Sequence, residues 1–146
     1  MKPTSHIVIS FSVSTILYLT FGSYLMAVSS FLFGIFMDID HFIEYFYDFG
    51  FSLNIKRFFD LCTKDYVFKK TFLFLHSWEL FLIYSLIVFI SPASEILFGV
   101  FIGYAFHLVF DQLGNLSKPL SYSFIYRWKN DFLTVKIWHV ELLGCK

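Results

Sequence analysis

The sequence predicts an all-α fold: a polytopic membrane bundle of about four transmembrane helices, with further helices at the membrane surface. Three observations predict it. The 146-residue chain is 58% hydrophobic and only 15% charged, against roughly 45–50% apolar and about 25% charged for soluble domains. That excess does not fit inside a soluble core this small, so the lipid bilayer is the expected solvent. Four apolar stretches are punctuated by turn residues, and every lysine and arginine falls on one side of the topology these stretches define. At this length a single domain, residues 1–146, is expected.

The first stretch runs from about His6 to Phe21 and the second from about Tyr24 to Met37, separated by Gly22-Ser23. Both are shorter than the ~20 residues of a full span, a mismatch that local thinning or incomplete insertion would accommodate. Merged, they would be too long for one helix without strong tilt, and a hairpin is preferred. Lys2 and the small residues Ala27-Val28-Ser29 also fit the outline of a cleaved signal peptide, but the later spans and His6 favour a retained helix. The third stretch runs from Thr71 to Ile90, closed by Ser91-Pro92, and the fourth from Ser94 to about Leu113, closed by Gly114-Asn115. Between the second and third, Ile55, Phe58, Phe59, Cys62 and Tyr66 recur at helical spacing among charged residues, the pattern of an amphipathic surface helix. The tail from Pro119 onward, rich in aromatics and bases, is expected to hug the membrane.

With four alternating spans, all 11 lysines and arginines share a side with both termini. The positive-inside rule makes that side cytoplasmic, and the protein a multi-pass component of the cell's inner membrane. The formal net charge of zero gives no reason to expect a nucleic-acid partner. Cys62 and Cys145 lack the spacing of a disulfide framework or a thiolate zinc site. Substrate and oligomeric state are not legible.

The same topology sorts the polar residues of the spans by depth. His6 opens the first; the second ends in Asp38-Ile39-Asp40-His41; the third leaves with His76 and Glu79; the fourth returns with His107 and Asp111. All fall near one face. Gly99, Gly103, His107 and Asp111 occupy one i+4 row, in which small residues permit close helix approach and the polar pair turns inward. Ser30, Gly34 and Asp38 repeat the row on the second span, and Ser10 and Ser14 lie above His6 on the first.

Several carboxylates gathered in a membrane must share protons or be neutralised by a cation. Imidazole and carboxylate without thiolate suit zinc first, with manganese or iron as alternatives. The candidate metal ligands are His6, Asp38, Asp40, His41, His76, His107 and Asp111, with Glu79 or Asp40 as general base. They outnumber the ligands of one tetrahedral zinc, and two ions about 3.5–4 Å apart are conceivable. Each residue also has a plainer reading: His6 as a helix-start polar residue, Asp38-Ile39-Asp40-His41 as a helix end, and Glu79 as a partner of Lys70 or Arg127. Glu44, Asp48 and His139 read as interfacial or tail residues. Arg127 reads as snorkelling to headgroups, with bidentate phosphate binding as the sharper alternative.

These residues resemble the membrane-bound metal-dependent hydrolases of the LexA-regulated inner-membrane type. The resemblance rests on His6, "DIDH" at Asp38 to His41, "LHSW" around His76 and "HLVFDQLGN" from His107 to Asn115. It implies a helical membrane protein with a bound divalent metal and hydrolytic activity, and carries metal roles onto His6, Asp38, Asp40, His41, His76, His107 and Asp111. Many relatives have a further histidine where this chain has Thr71, so that either Glu79 substitutes as a ligand or the site holds fewer metals. The spacing is also loosely similar to zinc-dependent phospholipase C, which points to a phospholipid or other phosphate ester as substrate. The competing classes are a transporter subunit handling protons or metal, a structural or assembly factor, and a di-iron oxidase.

Overall fold

The computed structural model describes residues 3–63, 68–115 and 118–138. Within them the fold is helical, and β pairing is limited to an isolated bridge between Lys70 and Leu133. The helices are α1 (Pro3–Phe21), α2 (Tyr24–Phe36), α3 (His41–Phe49), α4 (Ile55–Thr63), α5 (Trp78–Ile90), α6 (Glu95–Gly114), α7 (Phe124–Lys129) and α8 (Thr134–Ile137). Lys2, Lys64, Tyr66, His139, Cys145 and Lys146 lie outside the described residues.

Serines start four of these helices. Ser23, Ser77, Ser94 and Ser123 each accept, through Oγ, the backbone N–H three residues on, at 3.1–3.4 Å. Each cap satisfies an orphan amide at a helix start, worth about 1 kcal/mol. Gly22, at φ +66°, makes the reversal from α1 into α2, a left-handed conformation that glycine adopts without a Cβ clash.

α2 sits between α1 and α6. The small-residue rows face one another as their spacing predicts: a Cβ on Gly99 or Gly103 would run into the backbone carbonyls of Met26 and Ser30, and one on Gly34 would stand 2.5 Å from Ser10 Oγ. Lipid offers no hydrophobic drive for helices to associate, so close backbone contact of this kind supplies the attraction. The outer faces are apolar and open: Val8 is 65% exposed, Leu19 78% and Ile90 82%. Thr4–Phe21, Tyr24–Phe49 and Glu95–Gly114 are each long and apolar enough to cross a membrane, which marks the chain as a membrane protein.

Two stretches differ from their expected bounds. The second helical run does not stop at Met37; it passes through a 3-10 turn, Met37–Asp40, into α3. The third does not start at Thr71. α5 begins at Trp78 and has 13 residues, about 20 Å at 1.5 Å per residue, against a hydrocarbon core of about 30 Å. Among the described residues, therefore, three helical runs rather than four are long and apolar enough to span. Residues 71–77 do not form a turn of helix because their amides are bound elsewhere. Thr71 N–H donates to the Phe132 carbonyl at 2.8 Å; Phe72 N–H donates to Glu44 and Leu75 N–H to Asp40, both at 2.9 Å.

α4 is amphipathic, and its apolar edge meets α3: Phe58 stacks on Phe42 with centroids 3.9 Å apart, and Arg57 lies over Phe49. Residues 118–138 fold over the 68–77 segment. Trp78 N–H donates to the Tyr122 carbonyl and Thr134 N–H to the Lys69 carbonyl. Ser121, Tyr122, Arg127 and Ile137 are buried beneath this wrap.

Candidate metal centre

Separate segments deliver polar side chains to one end of the bundle. His6 comes from the start of α1, Asp38 and Asp40 from the 3-10 turn, and His41 from the first position of α3. His76 comes from the irregular segment before α5, and His107 and Asp111 from the last turns of α6. The far end carries the Gly22-Ser23 turn and Glu95, where Ser23 Oγ–H donates to the Glu95 carboxylate at 2.7 Å.

The contacts are close. Nε2 of His76 and Nε2 of His107 stand 2.9 Å apart. Asp38 Oδ1 is 3.5 Å from both nitrogens, and Asp111 Oδ2 is 3.4 and 3.6 Å from them. His6 Nε2 is 3.2 Å from the other oxygen of Asp111, and the His6 ring stacks on His107. His41 Nε2 faces Asp38 at 3.9 Å. Candidate ligand atoms of His6, Asp38, His107 and Asp111 all lie within 4.8 Å of one another, as do those of Asp38, His41 and His76. Donors about 2.0–2.2 Å from one ion stand roughly 3–3.5 Å apart; the contacts of 3.2–3.6 Å suit such a set, and the 4.8 Å spread of the wider groups would have to draw in around an ion.

The tautomers point the same way. Nδ1–H of His107 donates to the Gly34 carbonyl at 2.7 Å, that of His41 to Glu44 at 3.1 Å, and that of His76 to the Asp40 carboxylate at 3.0–3.1 Å. Each neutral ring then offers a bare Nε2 lone pair to the cluster, as in metal sites where an acceptor bonded to Nδ1–H orients the ligating histidine. Two such lone pairs at 2.9 Å repel unless a proton or a cation lies between them. Burial works against charge on His76, yet Asp40, Asp111 and Asp38 outweigh it and hold its pKa well above the usual 6.5. The donor set therefore fits a divalent cation.

Not every expected residue joins. Asp40 sits behind His76, with Oδ2 also accepting the Leu75 N–H, so it fixes the His76 ring and lies outside both candidate ligand groups. Glu79 is turned to the start of α7, where it accepts from Ser123 Oγ and from the N–H groups of Phe124 and Ile125; the structure does not bring it to the cluster. Its expected pairing with Lys70 or Arg127 is replaced by these bonds. Thr71 Oγ1 is 2.9 Å from Thr134 Oγ1 and accepts from Trp138 Nε1–H, a structural position.

Other residues are more important than their sequence position suggests. Glu44 is 2% exposed and bridges His41 and the Phe72 amide; its i+3 spacing from His41 was the available signal. Arg127 is neither snorkelling nor open to a phosphate. It is fully buried and donates from one terminal nitrogen to the carbonyls of Leu73 and His76. Leu73 adopts φ +43°, a left-handed conformation costing an L-residue roughly 1–2 kcal/mol. Arg127 thus grips the bend that presents His76.

No protein-family model, curated protein or solved structure matches the chain. The class the site defines, a membrane helical protein with a metal-competent His/Asp cluster, stands on its own residues.

Proposed function

We propose that this protein is a metal-dependent hydrolase of the inner membrane that cleaves a phospholipid or another phosphate ester at the cytoplasmic face. The observation carrying this reading is the convergence of bare Nε2 atoms and two carboxylates with each Nδ1–H anchored behind. Zinc is the favoured ion for a nitrogen and oxygen set without thiolate. α5 supplies a fourth, short crossing with the bilayer thinned around it. All lysines and arginines then share the cluster's side, which the positive-inside rule makes cytoplasmic, with both termini.

The two ligand groups differ in a way that assigns roles. His6, Asp38, His107 and Asp111 would supply four ligands, three of them buried; Asp38, His41 and His76 would supply three, sharing Asp38. The side chains of Asp38 and His41 remain 30% and 29% exposed. A zinc with four protein ligands is closed, whereas one with three keeps a position for water or substrate. The reaction belongs at the Asp38, His41 and His76 side. An ion held there supplies Lewis-acid polarisation and lowers the pKa of water to about 7. Asp40 and Glu79 are committed to other partners, so neither serves as the base expected of it.

The test is turnover of phospholipid in vesicles containing the purified protein. Chelation should abolish product release, zinc should restore it, and His76→Ala should be inactive. Turnover that survives both chelation and His76→Ala would remove this reading.

A further inference from the structure

The backbone from Phe72 to His76 is held by side chains rather than by helix or sheet partners. The N–H groups of Phe72 and Leu75 donate to the carboxylates of Glu44 and Asp40. The Leu75 carbonyl accepts from the Tyr104 hydroxyl at 2.6 Å. The carbonyls of Leu73 and His76 accept from one terminal nitrogen of Arg127 at 2.9 and 3.0 Å. Arg127 is fully buried, and its Nε and Nη1 have no hydrogen-bond partner. Two bonds to neutral carbonyls do not offset the desolvation of a guanidinium. Charge at longer range helps to do so, since Arg127 interacts electrostatically with Asp40 and Glu44. Both carboxylates are buried, and they accept the Nδ1–H of His76 and His41.

The backbone around Arg127 is also strained. Leu73, Asp131 and Phe132, at φ +43°, +58° and +56°, are the left-handed non-glycine residues among those described. All three belong to this junction. The Arg127 carbonyl accepts the Phe132 N–H at 2.9 Å, and the Phe132 carbonyl accepts the Thr71 N–H. Such conformations persist only where the surroundings over-determine them, and they gather at functional sites.

We infer that Arg127 is a positioning residue of the metal centre that acts through His76. Its terminal nitrogen fixes the backbone on both sides of the His76 approach, and its charge keeps Asp40 an anionic acceptor behind the His76 ring. The inference rests on the metal centre and not on hydrolysis.

Competitive zinc titration of the full chain in detergent, in wild-type and His76→Ala backgrounds, tests it. The group of His6, Asp38, His107 and Asp111 keeps the second background measurable. Arg127→Gln, which removes the charge, should weaken zinc binding about tenfold in the wild-type background, as losing the support behind a ligand does. Arg127→Lys keeps the charge but not the planar fork and should lose about threefold. In His76→Ala, where the residue they act through is gone, each variant should change the affinity by less than about 1.5-fold. An equal loss in both backgrounds marks a general structural role and overturns the proposal, as does wild-type affinity in Arg127→Gln. If circular dichroism shows that Arg127→Gln does not fold, Arg127→Lys carries the same comparison. A wild type that takes up no zinc ends the metal reading itself, whereas equal losses in the two backgrounds end this proposal alone.

Discussion

Replacing Asp40 with asparagine isolates what the carboxylate behind a metal ligand contributes. Its oxygens stand 3.0 and 3.1 Å from Nδ1 of His76, and one of them also accepts the Leu75 amide at 2.9 Å. Asparagine preserves the shape and can retain one of these bonds through its amide oxygen. What it removes is the negative charge that fixes the Nδ1–H tautomer and makes Nε2 the better donor. Losing the acceptor bonded to a ligating histidine's Nδ1–H typically costs roughly 10–100-fold in metal affinity, or about 1.4–2.8 kcal/mol. The isosteric change belongs at the lower end, about tenfold. Asp40→Ala belongs at the upper end, about a hundredfold, because the Leu75 amide also loses its acceptor. The assay is a competitive zinc titration against a chromophoric chelator at fixed pH, with His107→Ala as the variant that loses a ligand outright. Wild-type affinity in Asp40→Asn, or a loss as large as that of His107→Ala, would refute the orienting role.

The remaining predictions concern pH, packing and the carboxylate that stays outside the cluster. The His76 pKa is raised in the folded chain, so in metal-free protein its contribution to stability is full below about pH 6.5 and is lost as pH rises towards the folded value. With zinc bound the trend reverses, because the ion must displace that proton; thermal melts from pH 6 to 8 with and without zinc should therefore slope in opposite directions. Gly103→Ala places a methyl group against the Ser30 backbone and should destabilise by about 2–3 kcal/mol. Gly34→Ala, opposed by the Ser10 hydroxyl, should cost about 1 kcal/mol, both read from detergent unfolding curves. Glu79→Gln should leave zinc stoichiometry unchanged and cost about 1–2 kcal/mol through weakened bonds at the start of α7; loss of zinc from this variant would place Glu79 in the site after all.

The helical part of the site was legible because helix periodicity fixes both depth and rotation. The row Gly99, Gly103, His107 and Asp111 needs only a 3.6-residue repeat, and the structure buries all four on the α2 side. The same rule failed at His76. Extending helix back to Thr71 put His76 and Glu79 on one face, whereas Ser77 caps α5 and separates them. A serine followed by Trp78-Glu79 at the start of an apolar run is a recognisable N-cap, so that boundary was within reach. The presentation of His76 was not. It depends on Arg127, 51 residues away in sequence, and on the left-handed Leu73, which no local pattern encodes. Glu44 was passed over because an acid beyond a helix end looks interfacial until the 3-10 turn carries the helical run onward through α3.

The most direct measurement is elemental analysis of the detergent-purified protein beside a His107→Ala/Asp111→Ala double variant, with both checked for folding by circular dichroism. The account predicts at least one divalent ion per wild-type chain and substantial loss of it from the folded double variant. A metal-free wild type after zinc loading, or a double variant that retains the full complement, contradicts it.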